Sequence, residues 1–253
     1  MITILGSTGM LGSMVAETLD LDFRVLNRPE FDAERFTGGL HGQVVINCAG
    51  VIKPYCDDVP RAIKVNALFP HYLPEGTIQI ATDCVYSGKK GQYIETDEHD
   101  ATDVYGKTKS LGEATHLKNL RCSIIGPEKK NHLSLLDWFL AQDSAKGFTN
   151  HFWNGITTLH FARIVQGVIR EKMELPSLQH IVPADSVTKS ELLKIIARVY
   201  KKNIPVTDIK ADVAVNRTLA TLNPELNQKL WEVAGYGSPP TIEQMIEELC
   251  SLS

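Results

Sequence analysis

The sequence predicts an α/β fold: a doubly wound parallel sheet followed by a smaller, helix-rich C-terminal lobe. Through residue 126, short β-branched or aliphatic runs alternate with longer helical patterns, the signature of a parallel sheet with helices on both faces. After Gly126-Pro127 that alternation weakens and helical periodicity takes over. A chain of 253 residues can hold one large α/β domain, or one domain with a small appendage.

The expected strands are 3–5, 23–26, 44–47, 78–81 and 122–125, and the helices between them 11–19, 61–68 and 105–117. Right-handed crossovers would bury both faces of each strand, which suits the apolar centre of Val44-Val45-Ile46-Asn47. Beyond the break, Leu159, Ala162, Val165, Val168 and Ile169 recur at a helical period. Thr188 with Glu191, and Thr241 with Gln244, have capping-box spacing ahead of apolar runs; Pro239-Pro240 sets off the second. The division expected is a sheet domain over 1–126, with segments within 145–182 available to complete the sheet, and a lobe over 127–253.

A formal charge of -4 gives no polybasic signature, so neither a nucleic-acid polymer nor a membrane surface is an expected partner. No apolar run is long enough to span a bilayer. Met1-Ile2-Thr3-Ile4-Leu5 opens as a buried strand rather than a secretory leader. Five cysteines without a C-x-x-C pair read as reduced thiols, making the cytoplasm the expected compartment. Eight scattered histidines without H-E-x-x-H give no expectation of a catalytic metal.

Gly6-Ser7-Thr8-Gly9-Met10-Leu11-Gly12 lies between the first strand and first helix. Gly6 suits a tight turn, Gly9 the close approach of a pyrophosphate, and Gly12 close helix–strand packing. The helix N-terminus then offers free N–H groups to an anion. Three glycines can also be a plain turn, but their place directly after an N-terminal strand points to dinucleotide binding in a Rossmann-type sheet. The second strand ends Leu26-Asn27-Arg28, with no acid to hold ribose hydroxyls. Arg28 could pair with the extra phosphate of NADPH, or simply be solvated. NADPH is the expected cofactor, with NADH the alternative.

Tyr105 and Lys109 are four residues apart and share a helix face. An ammonium beside a phenol favours the phenolate, making a tuned acid that can protonate the alkoxide formed when hydride reaches a ketone. Thr82 ends the fourth strand, where ligands of open α/β sheets bind. Its hydroxyl can donate to a carbonyl oxygen, or merely cap the strand.

These residues resemble the extended short-chain dehydrogenase/reductase superfamily, specifically its branch like dTDP-4-dehydrorhamnose reductase. Five motifs in order carry the resemblance: Gly6-x-x-Gly9-x-x-Gly12, Asn47-Cys48-Ala49-Gly50, Val65-Asn66-Ala67, Thr82-Asp83-x-Val85-Tyr86 and Tyr105-Gly106-Lys107-Thr108-Lys109. It covers the first half well and the second half loosely. It implies Tyr105 as proton donor, Lys109 on the nicotinamide ribose, and Thr82 on the C4 carbonyl with Asp83 beside the sugar. It also implies cofactor contacts from Thr8, Gly9, Met10 and Leu11 at the pyrophosphate, from Cys48, Ala49, Gly50 and Asn66, and from Asp32 near the adenosine. The implied substrate is a nucleotide-linked 4-keto-6-deoxy sugar of deoxysugar and polysaccharide biosynthesis. A homodimer is a further state to consider.

Two positions depart from the rhamnose-forming pattern, because Cys84 and Ile124 stand where aromatics are usual. The stretch from His151 through Trp153-Asn154 to Leu159 resembles a different subgroup of sugar-nucleotide reductases. There Trp153 could stack on sugar or base, with Asn154 beside it, or pack in the core. Two other enzyme classes share the architecture. A dehydratase would carry a glutamate where Cys84 stands, and an epimerase often an acid after the second strand. A non-catalytic dinucleotide-binding subunit is the remaining alternative, against which the presence of Thr82, Tyr105 and Lys109 together argues.

Overall fold

The computed structural model describes residues 1–40 and 44–252. Strand β1 (Ile2–Leu5) is wholly buried and leads through the glycine loop into α1 (Met10–Thr18). Strands β2 (Phe23–Leu26), β3 (Val44–Asn47) and β4 (Ile78–Thr82) follow. Before β4 the chain forms α2 (Val59–Ala62), whose Asp58 caps the Arg61 N–H, and it then widens to i→i+5 bonding over Ile63–Leu68.

Helix α3 (Val104–Leu111) is shorter than the expected 105–117. It stops at Gly112, where a Cβ would lie 1.9 Å from the Asn66 carbonyl oxygen. Strand β5 (Lys118–Cys122) likewise differs from the expected 122–125. Its Asn119 and Arg121 are polar yet buried, which hid the strand from a hydrophobicity reading. Asn119 belongs to a ladder of amides across three strands: Asn47 donates to Gln79 (2.8 Å), and Gln79 donates to Asn119 (2.9 Å). Each buried amide thus finds a partner inside the sheet.

Ser123 breaks the strand, and β6 (Ile124–Ile125) departs to another partner. Helix α4 (Leu135–Leu140), β7 (Ala145–Phe148), β8 (His151–Trp153) and β9 (Ile156–Thr157) follow, β9 pairing with β6. Helix α5 (Thr158–Arg170) buries nine of its residues and packs along α1. Strand β10 (Leu178–His180) then adds to β5, and the main sheet has six parallel strands in the order β10-β5-β4-β3-β1-β2. The order reverses between β1 and β3, so loops at their C-terminal ends diverge and leave a crevice.

The rest of the chain is β11 (Val187–Thr188), α6 (Lys189–Val199), β12 (Val206–Ile209), β13 (Val215–Asn216), α7 (Pro224–Val233) and α8 (Ile242–Cys250). Both expected capping boxes are present, at Thr188–Glu191 and Thr241–Gln244. The largest core cluster joins Ile4 and Ile46 of the sheet and Val15 of α1 to Val165, Trp231 and Ile246 of the later helices. No helix among the described residues is long and apolar enough to cross a membrane.

Candidate active site

One cleft of about 700 Å³ runs over the C-terminal ends of β1, β3 and β4. It brings Thr8, Gly9, Met10 and Leu11 together with Cys48, Ala49 and Gly50 at one end, and Thr82, Asp83, Tyr105 and Lys109 at the other. Gly6 takes φ +78°, outside the usual range of other residues, and its carbonyl accepts from the Gly9 N–H at 3.1 Å. A Cβ on Gly12 would sit 2.2 Å from the Gly6 carbonyl oxygen, so the helix lies on its own loop. Gly9 caps α1 with no side chain spent on the helix N–H groups, and no acid lies in the first turn. A Cβ at Gly9 would meet only the Gly6 oxygen, at 3.5 Å. Unspent donors, open space and the positive end of a helix suit a dinucleotide pyrophosphate.

Asn66, expected at the cofactor, is engaged by the protein's own groups. It is buried away from the cleft lining. Its Oδ1 accepts from the Val51 N–H (2.8 Å) and its Nδ2 donates to the Val51 carbonyl (2.9 Å) and the Thr108 hydroxyl (3.3 Å). One amide therefore pins the loop after β3 to helix α3.

Thr82 ends β4 and caps the short turn Asp83–Val85, its Oγ1 accepting from the Cys84 N–H at 3.2 Å. The hydroxyl donates to Asp83 Oδ1 at 3.3 Å and lines the same cleft as Tyr105. Asp103 caps α3 by accepting from the Gly106 N–H (2.8 Å), which sets Tyr105 in the first turn. Gly106 lets the helix close onto the loop, since a Cβ there would meet the Cys84 carbonyl oxygen at 2.2 Å.

Burial pushes the Tyr105 phenol above its ordinary value; Cys84, Asp83 and Cys56 add to the rise and Thr82 opposes it. Lys109 is not among the main groups acting on the phenol. The Lys109 ammonium donates to the Ile80 carbonyl at 3.1 Å, and burial lowers its own pKa against the fields of Glu113 and Cys48. Burial also raises Asp83, against the pull of Arg217 and hydrogen bonds from Thr82, Ser123 and Cys84. The Cys84 thiol is pushed up to about 12 by burial and by Asp83. Near the same carboxylate, Lys189 is brought down to about 8 by burial. Arg217, Lys189 and Ser123 belong to this surrounding, yet they sit in no motif and sequence reasoning missed them. Cys84 and Ile124, the two departures, both line the cleft.

Trp153 and Asn154 do not line the cleft. The Trp153 indole donates to the Ser123 hydroxyl (2.8 Å), and its ring packs where a Gly155 Cβ would be. Asn154 is buried and makes a two-way pair with the Leu219 backbone, 2.8 Å in each direction. Both polar groups are satisfied within the protein, which fits packing rather than ligand contact.

Behind the β4 end lies Arg121, with no exposure. It is paired with Glu113 and donates to the Tyr86 hydroxyl (2.6 Å), to His180 Nε2 (2.8 Å) and to His99 Nε2 (2.8 Å). A guanidinium has no acceptor, so both imidazoles face it unprotonated and use Nδ1–H toward Ala220 and Ser110. Burial lowers the pKa of both histidines.

Arg28 and Asp32 line a second recess, with Glu34, Arg35 and Phe36. Arg28 donates to Asp32 (3.0 Å) and Glu34 (2.5 Å), so it is neither free nor merely solvated. Burial would raise the Asp32 carboxyl, but the Glu34 N–H and Arg28 together hold it below the usual range. Among the described residues, no group of three or more His, Cys, Asp or Glu side chains is placed to hold a metal ion.

The sequence matches the RmlD substrate binding domain family over residues 1–251. The chain belongs to that family. The match extends the resemblance, read from motifs in the first half, across nearly the whole chain. The structure is similar to a dTDP-4-dehydrorhamnose reductase from Bacillus anthracis in complex with NADP, at 16% identity and TM-score 0.80, covering 100% of this chain and 99% of that one. It is similar to another from Clostridium acetobutylicum at 22% identity and TM-score 0.75, covering 99% and 98%. A dTDP-glucose 4,6-dehydratase from Bacillus anthracis in complex with NAD also shares the fold, at 13% identity and TM-score 0.71, covering 99% and 95%. No curated protein matches the sequence significantly. Reductase and dehydratase share this fold, so the reaction has to be argued from the cleft.

Proposed function

We propose that the protein is an NAD(P)H-dependent reductase of a nucleotide-linked 4-keto-6-deoxy sugar, with NADPH the cofactor and Tyr105 the proton donor. The observation that carries the reading is that Thr82, Tyr105 and Lys109 line the same cleft as the uncapped N-terminus of α1. The dinucleotide, when bound, supplies hydride to a carbonyl carbon. The first turn of α1 would hold its pyrophosphate, and Lys109 its nicotinamide ribose.

The protein's own residues provide the other half of the reduction. Burial keeps the Tyr105 proton on the phenol through the neutral range, so the side chain is an acid ready to give a proton to an alkoxide. Thr82, turning its hydroxyl from Asp83, would donate to the same oxygen while charge develops there. Residues 127–253 would supply the sugar-nucleotide side of the cleft, beginning with Lys130, Leu133 and Leu135 of its lining. Elimination of water needs a carboxylate pair, and the residue after Asp83 is a thiol held protonated. That favours reduction over dehydration.

The test is oxidation of NADPH by the purified protein on adding nucleotide-linked 4-keto-6-deoxy sugars. Turnover with at least one supports the reading. Tight dinucleotide binding with no turnover on any would replace it with the non-catalytic subunit.

A further inference from the structure

The recess at the end of β2 carries more acid than base: Arg28 and Arg35 face Glu30, Asp32 and Glu34. Strand β2 itself ends without an acid, so the carboxylates arrive from the following loop. Arg28 is held by two of them, at 3.0 Å by Asp32 and 2.5 Å by Glu34. The same Glu34 Oε1 accepts from the Arg61 Nε at 3.0 Å, and Arg61 lines the main cleft. Glu34 therefore stands between the two recesses, bonded to a cation on each side.

We infer that Glu34 is a selectivity-determining residue: with Asp32 it occupies Arg28 and so restrains binding of a dinucleotide bearing a 2′-phosphate relative to one with a free 2′-hydroxyl. The inference rests on the reading of this cleft as a dinucleotide site. In that site the adenosine ribose lies beyond the end of the second strand. A 2′-phosphate arriving there takes Arg28 only by displacing two carboxylates, which then remain beside it as like charges. Glu34 has a second cation to fall back on in Arg61, whereas Asp32 keeps only the Glu34 N–H (3.0 Å). A ribose hydroxyl asks for no such displacement. It can donate to either carboxylate as the two stand.

The experiment measures NADPH and NADH dissociation constants by calorimetry for the wild type, Glu34→Gln, Asp32→Asn and Glu34→Gln/Arg28→Ala. Glu34→Gln removes one like charge and half the clamp, and should tighten NADPH by about tenfold while leaving NADH within about twofold. Asp32→Asn should act in the same direction. The double variant should lose the gain, because the effect runs through Arg28. Raising ionic strength should shrink the difference, since Arg28 is 58% exposed. An unchanged NADPH-to-NADH ratio in both single variants, or equal shifts for both dinucleotides, would overturn the inference and leave Glu34 as a brace. A wild-type protein that binds neither dinucleotide would instead overturn the cofactor reading itself, and this inference with it.

Discussion

The cleft at the end of β4 and the separate recess at the end of β2 are governed by opposite physics. At the β4 end, burial decides protonation: Tyr105, Asp83, Cys84 and Lys109 are each pushed toward their neutral forms. At the β2 end, ion pairs decide it, and Arg28 and Asp32 are held in their charged forms. A phenol that keeps its proton through the neutral range can give it to a stronger base such as an alkoxide. Exposed charged groups can recognise an anion, but they remain open to solvent and salt. Chemistry is thus expected at one end and selectivity at the other.

The sharpest way to break this contrast is Tyr105→Phe, which removes only the proton. Turnover on the best sugar nucleotide should fall by about 10²–10⁴-fold, with dinucleotide affinity nearly unchanged by calorimetry. Wild-type turnover would remove Tyr105 from the reaction. Gly12→Ala strikes the contact between α1 and its own glycine loop, forcing a Cβ to within 2.2 Å of the Gly6 oxygen. It should cost about 3 kcal/mol in urea unfolding and abolish dinucleotide binding. Unaltered stability would mean that loop and helix can separate freely.

Burial also dictates a pH dependence. His160 is lowered to about 4 and His180 is lowered too, each chiefly by burial. Their folded pKa values lie below the unfolded value of about 6.5, so the unfolded chain binds more protons between the two. Stability should be full above about pH 6.5 and fall as pH drops toward 4, by about 1.4 kcal/mol per pH unit for each proton. Urea midpoints across that window, with His160→Gln lowering the slope by about one proton, check this. A flat profile would show that burial does not control these groups. Asn66→Ala leaves both Val51 backbone groups without their partner and should cost about 2 kcal/mol, loosening the loop after β3. The smallest effect belongs to the exposed end. Arg28→Ala should weaken NADPH about threefold more than NADH, and high salt should erase the difference. Equal loss of both would leave Arg28 without a part in selectivity.

The contrast also explains what was legible in sequence. β2 and β3 fall on the expected residues, and the glycine loop, Thr82, Tyr105 and Lys109 converge as expected, because each combines local backbone chemistry with a fixed place after a strand. β5 was misplaced because Asn119 and Arg121 are polar in sequence and become satisfied only by the neighbouring strands, Glu113 and Tyr86. The length of α3 was overestimated because Gly112 stops it against Asn66, a contact between residues far apart in the chain. Trp153 and Asn154 could be read two ways for a related reason. An indole and an amide advertise hydrogen bonding, but not whether the partner is a ligand or Ser123 and Leu219. Glu34 drew no attention because its meaning depends on Arg28 and Arg61 meeting it from two sides.

The strand order has a consequence for synthesis. β5 is followed by more than fifty residues before β10 arrives to cover its edge. A nascent chain that has emerged only through β5 carries an open row of backbone donors and acceptors, with Arg121 still lacking His180. The sheet's last pairing is among its least local, and such contacts form late and slowly. Until His180 leaves the ribosome, the half of the protein that holds the glycine loop remains an unfinished, association-prone intermediate.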